Sequence, residues 1–267
     1  MKNELFILPF DHRSSFIKNV LNLENKPDKK QKQIISNLKE IIFYGFLDFA
    51  KNKKNFGILI DEEYGTNVIK KAKELNTLIS VSVEKSGKQE FEFEYGDRFK
   101  EHIKKVDPDF VKILVRYDIT QNNKKQLSKF ERLNTFCKEN NYKIIFELLV
   151  KDHKKTDKAI EEIKQAIQPD IWKLEGDNNW LKVIPVINKN SRIIMLGRGE
   201  NVKMIEKWIK NATPHKKIIG FAIGRTIFLK TIKDYYNKKI EKEKAIKQIS
   251  ENFKYFVNLW KKEKNNL

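Results

Sequence analysis

Three charged residues lie inside runs of sequence that are otherwise apolar. Lys112 sits in Val111-Lys112-Ile113-Leu114-Val115-Arg116, Glu147 in Ile144-Ile145-Phe146-Glu147-Leu148-Leu149, and Lys173 in Ile171-Trp172-Lys173-Leu174-Glu175. Short Ile-, Val- and Leu-rich runs of this kind read as buried strands. A buried Lys or Glu is rare unless it is paired, because an uncompensated buried charge is costly. Structural ion pairing accounts for any one of these residues taken alone. Three of them on consecutive strands point to a site. The chemistry that uses such a set is amine catalysis. A lysine that is desolvated beside another cation loses affinity for its proton, and the neutral amine can attack a ketone. The resulting iminium accepts the electron pair of a breaking carbon–carbon bond, and a nearby carboxyl group moves the protons of carbinolamine dehydration. Lys173, Lys112 and Glu147 fit those roles.

Other strand ends add an anion site. Met195-Leu196-Gly197-Arg198-Gly199 and Ala222-Ile223-Gly224-Arg225-Thr226 both place a Gly-Arg pair after an apolar run, and the second opens a helical pattern. Glycine lets backbone N–H groups approach an anion, a helix N-terminus adds partial positive charge, and arginine adds a planar fork. The chain has only seven arginines, so their positions are informative. Arg116 shares a strand face with Lys112 and Leu114 by alternation. Asp11 ends the first apolar run and is placed to orient a substrate hydroxyl or an amine. Lys85 follows the third run and is placed to meet a phosphate or carboxylate. Asp61 and Glu62 end the second run and read equally well as helix N-caps. The four histidines, at 12, 102, 153 and 215, show no ligand spacing, so no metal is expected. Cys137 falls on the apolar stripe of a helical segment and reads as core.

These residues must be positioned by a repeating scaffold. Eight short apolar runs recur, at Leu5–Phe10, Phe56–Ile60, Leu78–Val83, Phe110–Arg116, Lys143–Val150, Ile171–Leu174, Arg192–Leu196 and Lys217–Ile223. Between them lie amphipathic helical patterns at Gln31–Ala50, Gln126–Asn140, Thr156–Ile167, Val202–Ile209 and Thr226–Tyr236, with a charged loop at Asn22–Lys32. A long terminal helix is expected over Glu241–Lys261. The strand starts recur at intervals of about 30 residues, the size of one βα unit. Eight such units favour a (β/α)8 TIM barrel with a long C-terminal helix, in which function sits at the C-terminal ends of the strands. An open doubly wound sheet would want a glycine fingerprint after its first strand, where Pro9-Phe10-Asp11-His12-Arg13 has none.

Composition bounds the remaining choices. The 267 residues are expected to form a single domain over 1–267, and 40% hydrophobic content excludes a disordered chain. No apolar run approaches the ~20 residues of a membrane span, and Met1–Asp11 lacks a small-residue cleavage site. The single cysteine excludes a disulfide framework and fits a cytoplasmic setting. The net charge of +19 comes mostly from Lys, spread along the chain among many Asn, which reads as compositional bias. Nucleic acid is therefore not the expected partner. A phosphorylated small molecule is, with no cofactor, and a homo-oligomer stays open.

Leu8-Pro9-Phe10-Asp11-His12-Arg13, Asp61-Glu62-Glu63-Tyr64-Gly65, the three charged strands, Leu196-Gly197-Arg198-Gly199 and Gly220-Phe221-Ala222-Ile223-Gly224-Arg225-Thr226-Ile227 run the length of the chain. Together they resemble the class I aldolase-like barrel often fused behind a sugar kinase in bacterial inositol catabolism, a domain associated with cleavage of 2-deoxy-5-keto-gluconate 6-phosphate. More distantly, the chain is similar to class I tagatose-bisphosphate and sulfofructose-phosphate aldolases. The resemblance implies a Schiff-base lysine on the sixth strand, at Lys173, and a proton-shuttling Glu147 on the fifth. It implies a second lysine at Lys112, a strand-one aspartate at Asp11, and phosphate contacts at Gly197, Arg198, Gly224 and Arg225. A strand-three lysine is matched only loosely by Glu84-Lys85-Ser86-Gly87. No kinase half is expected, since the strand pattern starts at the N-terminus. A ketose-bisphosphate aldolase, or a ligand-sensing or nucleic-acid-binding protein on the same scaffold, are the alternatives.

Overall fold

The computed structural model describes residues 4–266, so the first three residues of the Met1–Asp11 segment lie outside the described part. Eight strands form a closed, all-parallel barrel in sequence order. They are β1 (Leu5–Pro9), β2 (Phe56–Asp61), β3 (Leu78–Ser82), β4 (Phe110–Tyr117), β5 (Lys143–Val150), β6 (Ile171–Glu175), β7 (Arg192–Leu196) and β8 (Ile218–Ala222). The connecting helices are α1 (Ser14–Phe16), α2 (Lys29–Ala50), α3 (Glu62–Glu74), α4 (Phe99–Val106), α5 (Lys124–Glu139), α6 (Thr156–Ile163), α7 (Trp180–Val186), α8 (Val202–Ala212) and α9 (Arg225–Tyr236). α10 (Lys242–Asn265) follows. The fold is a (β/α)8 TIM barrel. Among the described residues no helix is long and apolar enough to cross a membrane.

Period-two alternation sorts each strand into two faces. Leu5, Ile7, Leu59, Phe110, Ile145, Ile171, Ile194 and Ala222 pack together as the barrel interior. The alternate residues, such as Phe6, Ile58, Val111, Phe146 and Trp172, join the larger cluster between barrel and helices. Lys112, Glu147 and Lys173 have the parity of the interior set, one step nearer the C-terminal end. They stand on an apolar floor.

The barrel closes where β8 meets β1, with Leu5 paired to Gly220. A Cβ on Gly220 would lie 1.9 Å from the Leu5 carbonyl oxygen, so only glycine permits this approach. Outside the seam, α10 sets Phe253 against Phe46, Phe56 and Phe221, at ring distances of 5.6, 6.0 and 6.1 Å. Trp260 lies 6.3 Å from Phe6 and 6.2 Å from Phe221. The last helix thus covers the junction of β8, β1 and β2.

Two features differ from the sequence reading. α2 starts at Lys29, inside the expected Asn22–Lys32 loop, because Asp28 and Gln31 form a reciprocal capping box. Helices α3, α4 and α7 lie in segments where the sequence reading marks no helix; α4 and α7 have only eight and seven residues, and α7 contains Pro185. Asp61 acts as an N-cap, accepting from the Tyr64 amide at 2.8 Å. It also pairs with Lys39 of α2, both side chains being fully buried.

Candidate active site

The C-terminal ends of the strands surround a cavity of about 320 Å³, a volume within the range of small-molecule sites. The residues expected to catalyse or to bind phosphate line it: Asp11, Lys112, Glu147 and Lys173 at the base, Gly197, Arg198, Gly224 and Arg225 on one side, Arg116 and Lys85 on the other; Asp61 and Glu62 do not. Strand register sets the base. Glu147 is the direct neighbour of Lys173 across β5–β6, and Leu114 is the neighbour of Glu147 across β4–β5.

Glu147 Oε2 bridges the two amines, 2.8 Å from Lys173 Nζ and 3.0 Å from Lys112 Nζ. Lys112 also donates to Asp11 Oδ2 and to Glu84 Oε1, each at 2.8 Å. Lys112 is 1% exposed and Lys173 4%. The two lysines therefore differ in kind. Lys112 is held by three carboxylates, whereas among the described residues Lys173 has one carboxylate partner, and that one is shared.

The electrostatics follow from this geometry. Burial opposes charge on Lys112, but Asp11, Glu147 and Glu84 outweigh it and raise its pKa. Burial likewise favours a neutral Asp11, yet Lys112, His12 and Lys173 hold its carboxyl well below the usual range. Glu147 is also lowered, because Lys112 and Lys173 overcome burial. Glu84 goes the other way, raised by burial in spite of Lys112 and Arg13. His12 is pushed down to about 4, mainly by burial, and its Nδ1 has no hydrogen-bond partner among the described residues.

The Gly-Arg rim is built from a left-handed turn. Arg198 has φ 49° and Gly199 φ 84°, and a Cβ on Gly199 would lie 2.8 Å from the Arg225 guanidinium. Arg225 donates to the Arg198 carbonyl. The Arg198 guanidinium pairs with Glu175 of β6, whose other oxygen lies 2.9 Å from His153 Nδ1. No side chain caps α9, so its first backbone N–H groups remain donors at the cavity. Opposite, the chain after β3 returns as a hairpin, with an antiparallel bridge from Glu84 to Phe93. Arg116 donates to the Lys88 carbonyl at the hairpin tip, at 3.2 Å. Lys85 points toward solvent, 3.9 Å from Glu92 and about half exposed.

Glu84 is the site residue that the sequence reading passed over. Period two through Ser80, Ser82 and Glu84 was the available signal. The apolar run ends at Val83, and Lys85 beside it is the residue whose charge suits an anion. His153, Glu175 and Asp177 form the one group among the described residues with three candidate metal-ligating atoms close together. Glu175 Oε1 is engaged by the Arg198 guanidinium, whose positive charge beside the group opposes a cation there.

A family described as "Uncharacterized protein conserved in bacteria (DUF2090)" matches residues 1–264. The chain belongs to the DUF2090 family. No curated protein matches this DUF2090 chain. Among solved structures it is similar to a structural-genomics protein of Corynebacterium glutamicum, with TM-score 0.62, 13% identity, and coverage of 94% of this chain and 85% of that one. It is similar to the YdjI aldolase of Escherichia coli K12, with TM-score 0.61, 10% identity, and coverage of 97% and 91%. It is also similar to N-acetylneuraminate lyase of Mycoplasma synoviae, with TM-score 0.51, 12% identity, and coverage of 96% and 81%. At these identities the likeness shows that the DUF2090 barrel shares their fold.

Proposed function

We propose that this protein is a class I, Schiff-base aldolase, formed as one cytoplasmic domain over 1–267. The observation that carries the reading is the single carboxylate oxygen of Glu147 shared between Lys173 and Lys112 in a cavity at the strand ends. Lys173 is the nucleophile, since the carboxyl groups of Asp11, Glu147 and Glu84 keep Lys112 an ammonium. Glu147 takes the proton of the Lys173 ammonium, the freed amine adds to a ketone, and Glu147 returns that proton as water leaves the carbinolamine. The iminium takes up the electron pair of the adjacent carbon–carbon bond as the bond breaks. The hydroxyl on the departing carbon loses its proton and leaves as an aldehyde. The remaining enamine carbon takes a proton, and water releases the ketone. Lys112 and Asp11 hold Glu147 and the substrate hydroxyls in place.

The substrate that suits the rim is a phosphorylated keto-sugar acid such as 2-deoxy-5-keto-gluconate 6-phosphate, cleaved to dihydroxyacetone phosphate and malonate semialdehyde. Its phosphate would meet Gly197, Arg198, Gly224, Arg225 and the α9 amides, and its carboxylate would meet Arg116 and Lys85 across the cavity. A ketose bisphosphate places anions at the same two ends and is the second reading. Borohydride reduction with dihydroxyacetone phosphate should inactivate the protein and add the ligand to the peptide containing Lys173. Labelling at Lys112 would exchange the two lysines' roles. Absence of labelling, with turnover lost to a chelator, would overturn the class I mechanism. Comparing cleavage of the two substrate types decides between the readings.

A further inference from the structure

We propose that Glu84 is a second catalytic carboxyl of this site, the group that gives and takes the proton on the oxygen of the aldehyde half. The proposal rests on the aldolase reading above. Glu84 lines the cavity and is 7% exposed. Its Oε1 accepts from Lys112 at 2.8 Å, while its Oε2 is buried with no hydrogen-bond partner among the described residues.

A purely structural carboxylate does not account for that arrangement. Lys112 already has Asp11 and Glu147 as counter-ions. A third carboxylate on the same ammonium suffers repulsion from the other two, and one group of such a set is expected to hold a proton. Arg13 is the other cation facing Glu84, 3.9 Å from Oε1, but it is itself engaged by Glu94 and by the Glu84 carbonyl. A proton on Glu84 belongs on Oε2, since Oε1 is accepting. Oε2 is then a buried O–H donor without an acceptor, on a residue that lines the cavity. Burial raises the Glu84 carboxyl while Glu147 is lowered, and two carboxyls pushed apart in this way mark an acid and a base.

Position divides the labour. Glu147 contacts Lys173 and serves proton transfers at the nitrogen. Glu84 touches Lys112 on the β3 side, toward Lys85 and Arg116 and away from the Gly-Arg rim, where the part of the substrate remote from the phosphate lies. In condensation the enamine carbon bonds to the aldehyde carbon, and the enamine nitrogen becomes the iminium. The aldehyde oxygen receives the carbonyl electron pair and takes the proton from Glu84. In cleavage the Glu84 carboxylate takes the hydroxyl proton back as the bond's electron pair returns to nitrogen.

The test separates partial reactions. Dihydroxyacetone phosphate alone should exchange its C–H with deuterium oxide through the Lys173 enamine, a process involving no aldehyde. Glu84→Gln should keep borohydride labelling of Lys173 and keep this exchange within a few-fold. Condensation with malonate semialdehyde or glyceraldehyde 3-phosphate should fall ~10²–10⁴-fold. Cleavage in the parent should decline as pH falls through the Glu84 carboxyl, above the ordinary carboxylate range, and that limb should vanish in Glu84→Gln. Glu84→Asp, which keeps the acid, should recover part of the rate. Should the Gln variant fail to fold, the Asp variant alone must still show condensation reduced more than exchange. Equal losses in exchange and condensation, or no loss in either, would overturn the role of Glu84. A parent protein that forms no borohydride adduct would instead overturn the aldolase reading beneath it.

Discussion

Replacing Lys112 by methionine removes the cation at the centre of the site while keeping most of the side chain's volume. Three carboxylate oxygens then lose a partner at 2.8, 2.8 and 3.0 Å. At an effective dielectric of about 20, the pairs with the ionised Asp11 and Glu147 each carry on the order of 5 kcal/mol of gross Coulomb attraction, while Glu84 loses a hydrogen-bond donor. Most of it is offset by desolvation of the ions and by repulsion among Asp11, Glu84 and Glu147. What remains is the cost of breaking a buried ion cluster, about 3–5 kcal/mol. For a chain of this length that corresponds to a fall of roughly 6–20 °C in melting temperature. The pH dependence should also change sign. In the parent, Asp11 and Glu147 are lowered, so their contribution is present above ordinary carboxylate pKa values and is lost as pH falls, and they outnumber Glu84, which is raised and contributes in the opposite sense. In Lys112→Met the stranded carboxyls are raised, so the folded state binds the extra protons and stability is lost as pH rises. Urea unfolding of parent and variant at pH 5 and pH 8 reads both effects. The gap between them should be clearly wider at pH 8. A loss below about 1 kcal/mol, or an equal gap at both pH values, would refute the picture of a buried cluster organised by Lys112.

Arg225→Lys keeps charge but loses the fork, and should lower kcat/KM about 10–150-fold for a phosphorylated substrate, the equivalent of about 1.5–3 kcal/mol; an equal loss with the unphosphorylated analogue would place the phosphate elsewhere. His12 is held neutral by burial down to a pKa of about 4, so its contribution to stability is lost as pH falls from about 6.5 toward 4. His12→Gln should flatten that slope by on the order of 2 kcal/mol between pH 6.5 and 4.5 in denaturant titrations. Gly220→Ala drives a Cβ into the Leu5 carbonyl and should cost about 4 kcal/mol or more, read as loss of soluble folded protein; a variant that melts like the parent would show that the seam can relax.

Much of this molecule is written locally in its sequence. All eight strands appear as apolar runs because both faces of each are covered, and the interior charges stand out against that background. The long amphipathic helices α2, α5 and α10 show stripes because only one face of each is buried. What escapes depends on contacts between distant segments. Glu84 faces inward because the hairpin bridge to Phe93 continues the β3 alternation; the Ser86-Gly87 turn and the alternating Glu90-Phe91-Glu92-Phe93-Glu94 run are local signs of that return, but they do not say which face residue 84 takes. The commitment of Arg198 to Glu175 needs β6 and the loop after β7 to be placed side by side. Asp61 was legible as a cap, but its pairing with Lys39 joins the end of β2 to the preceding helix. The helices α4 and α7 span only about two turns, so their stripes of Phe99, Ile103 and Val106 and of Trp180 and Val183 are short.

The β8–β1 seam has a kinetic consequence. Its partners, Leu5 and Gly220, are more than two hundred residues apart in sequence, and contacts so distant close late in folding. Until they do, β1 and β8 each expose a row of unpaired backbone groups, the kind of edge through which chains associate wrongly. The aromatic cover of Phe253 and Trp260 over Phe6, Phe56 and Phe221 can assemble only once that gap shuts. Its energy thus belongs to the native state and hardly at all to the transition state. Truncating Phe253 to alanine should therefore speed unfolding while leaving the refolding rate almost unchanged. The seam and its cover act as the latch that determines how long a closed barrel stays closed.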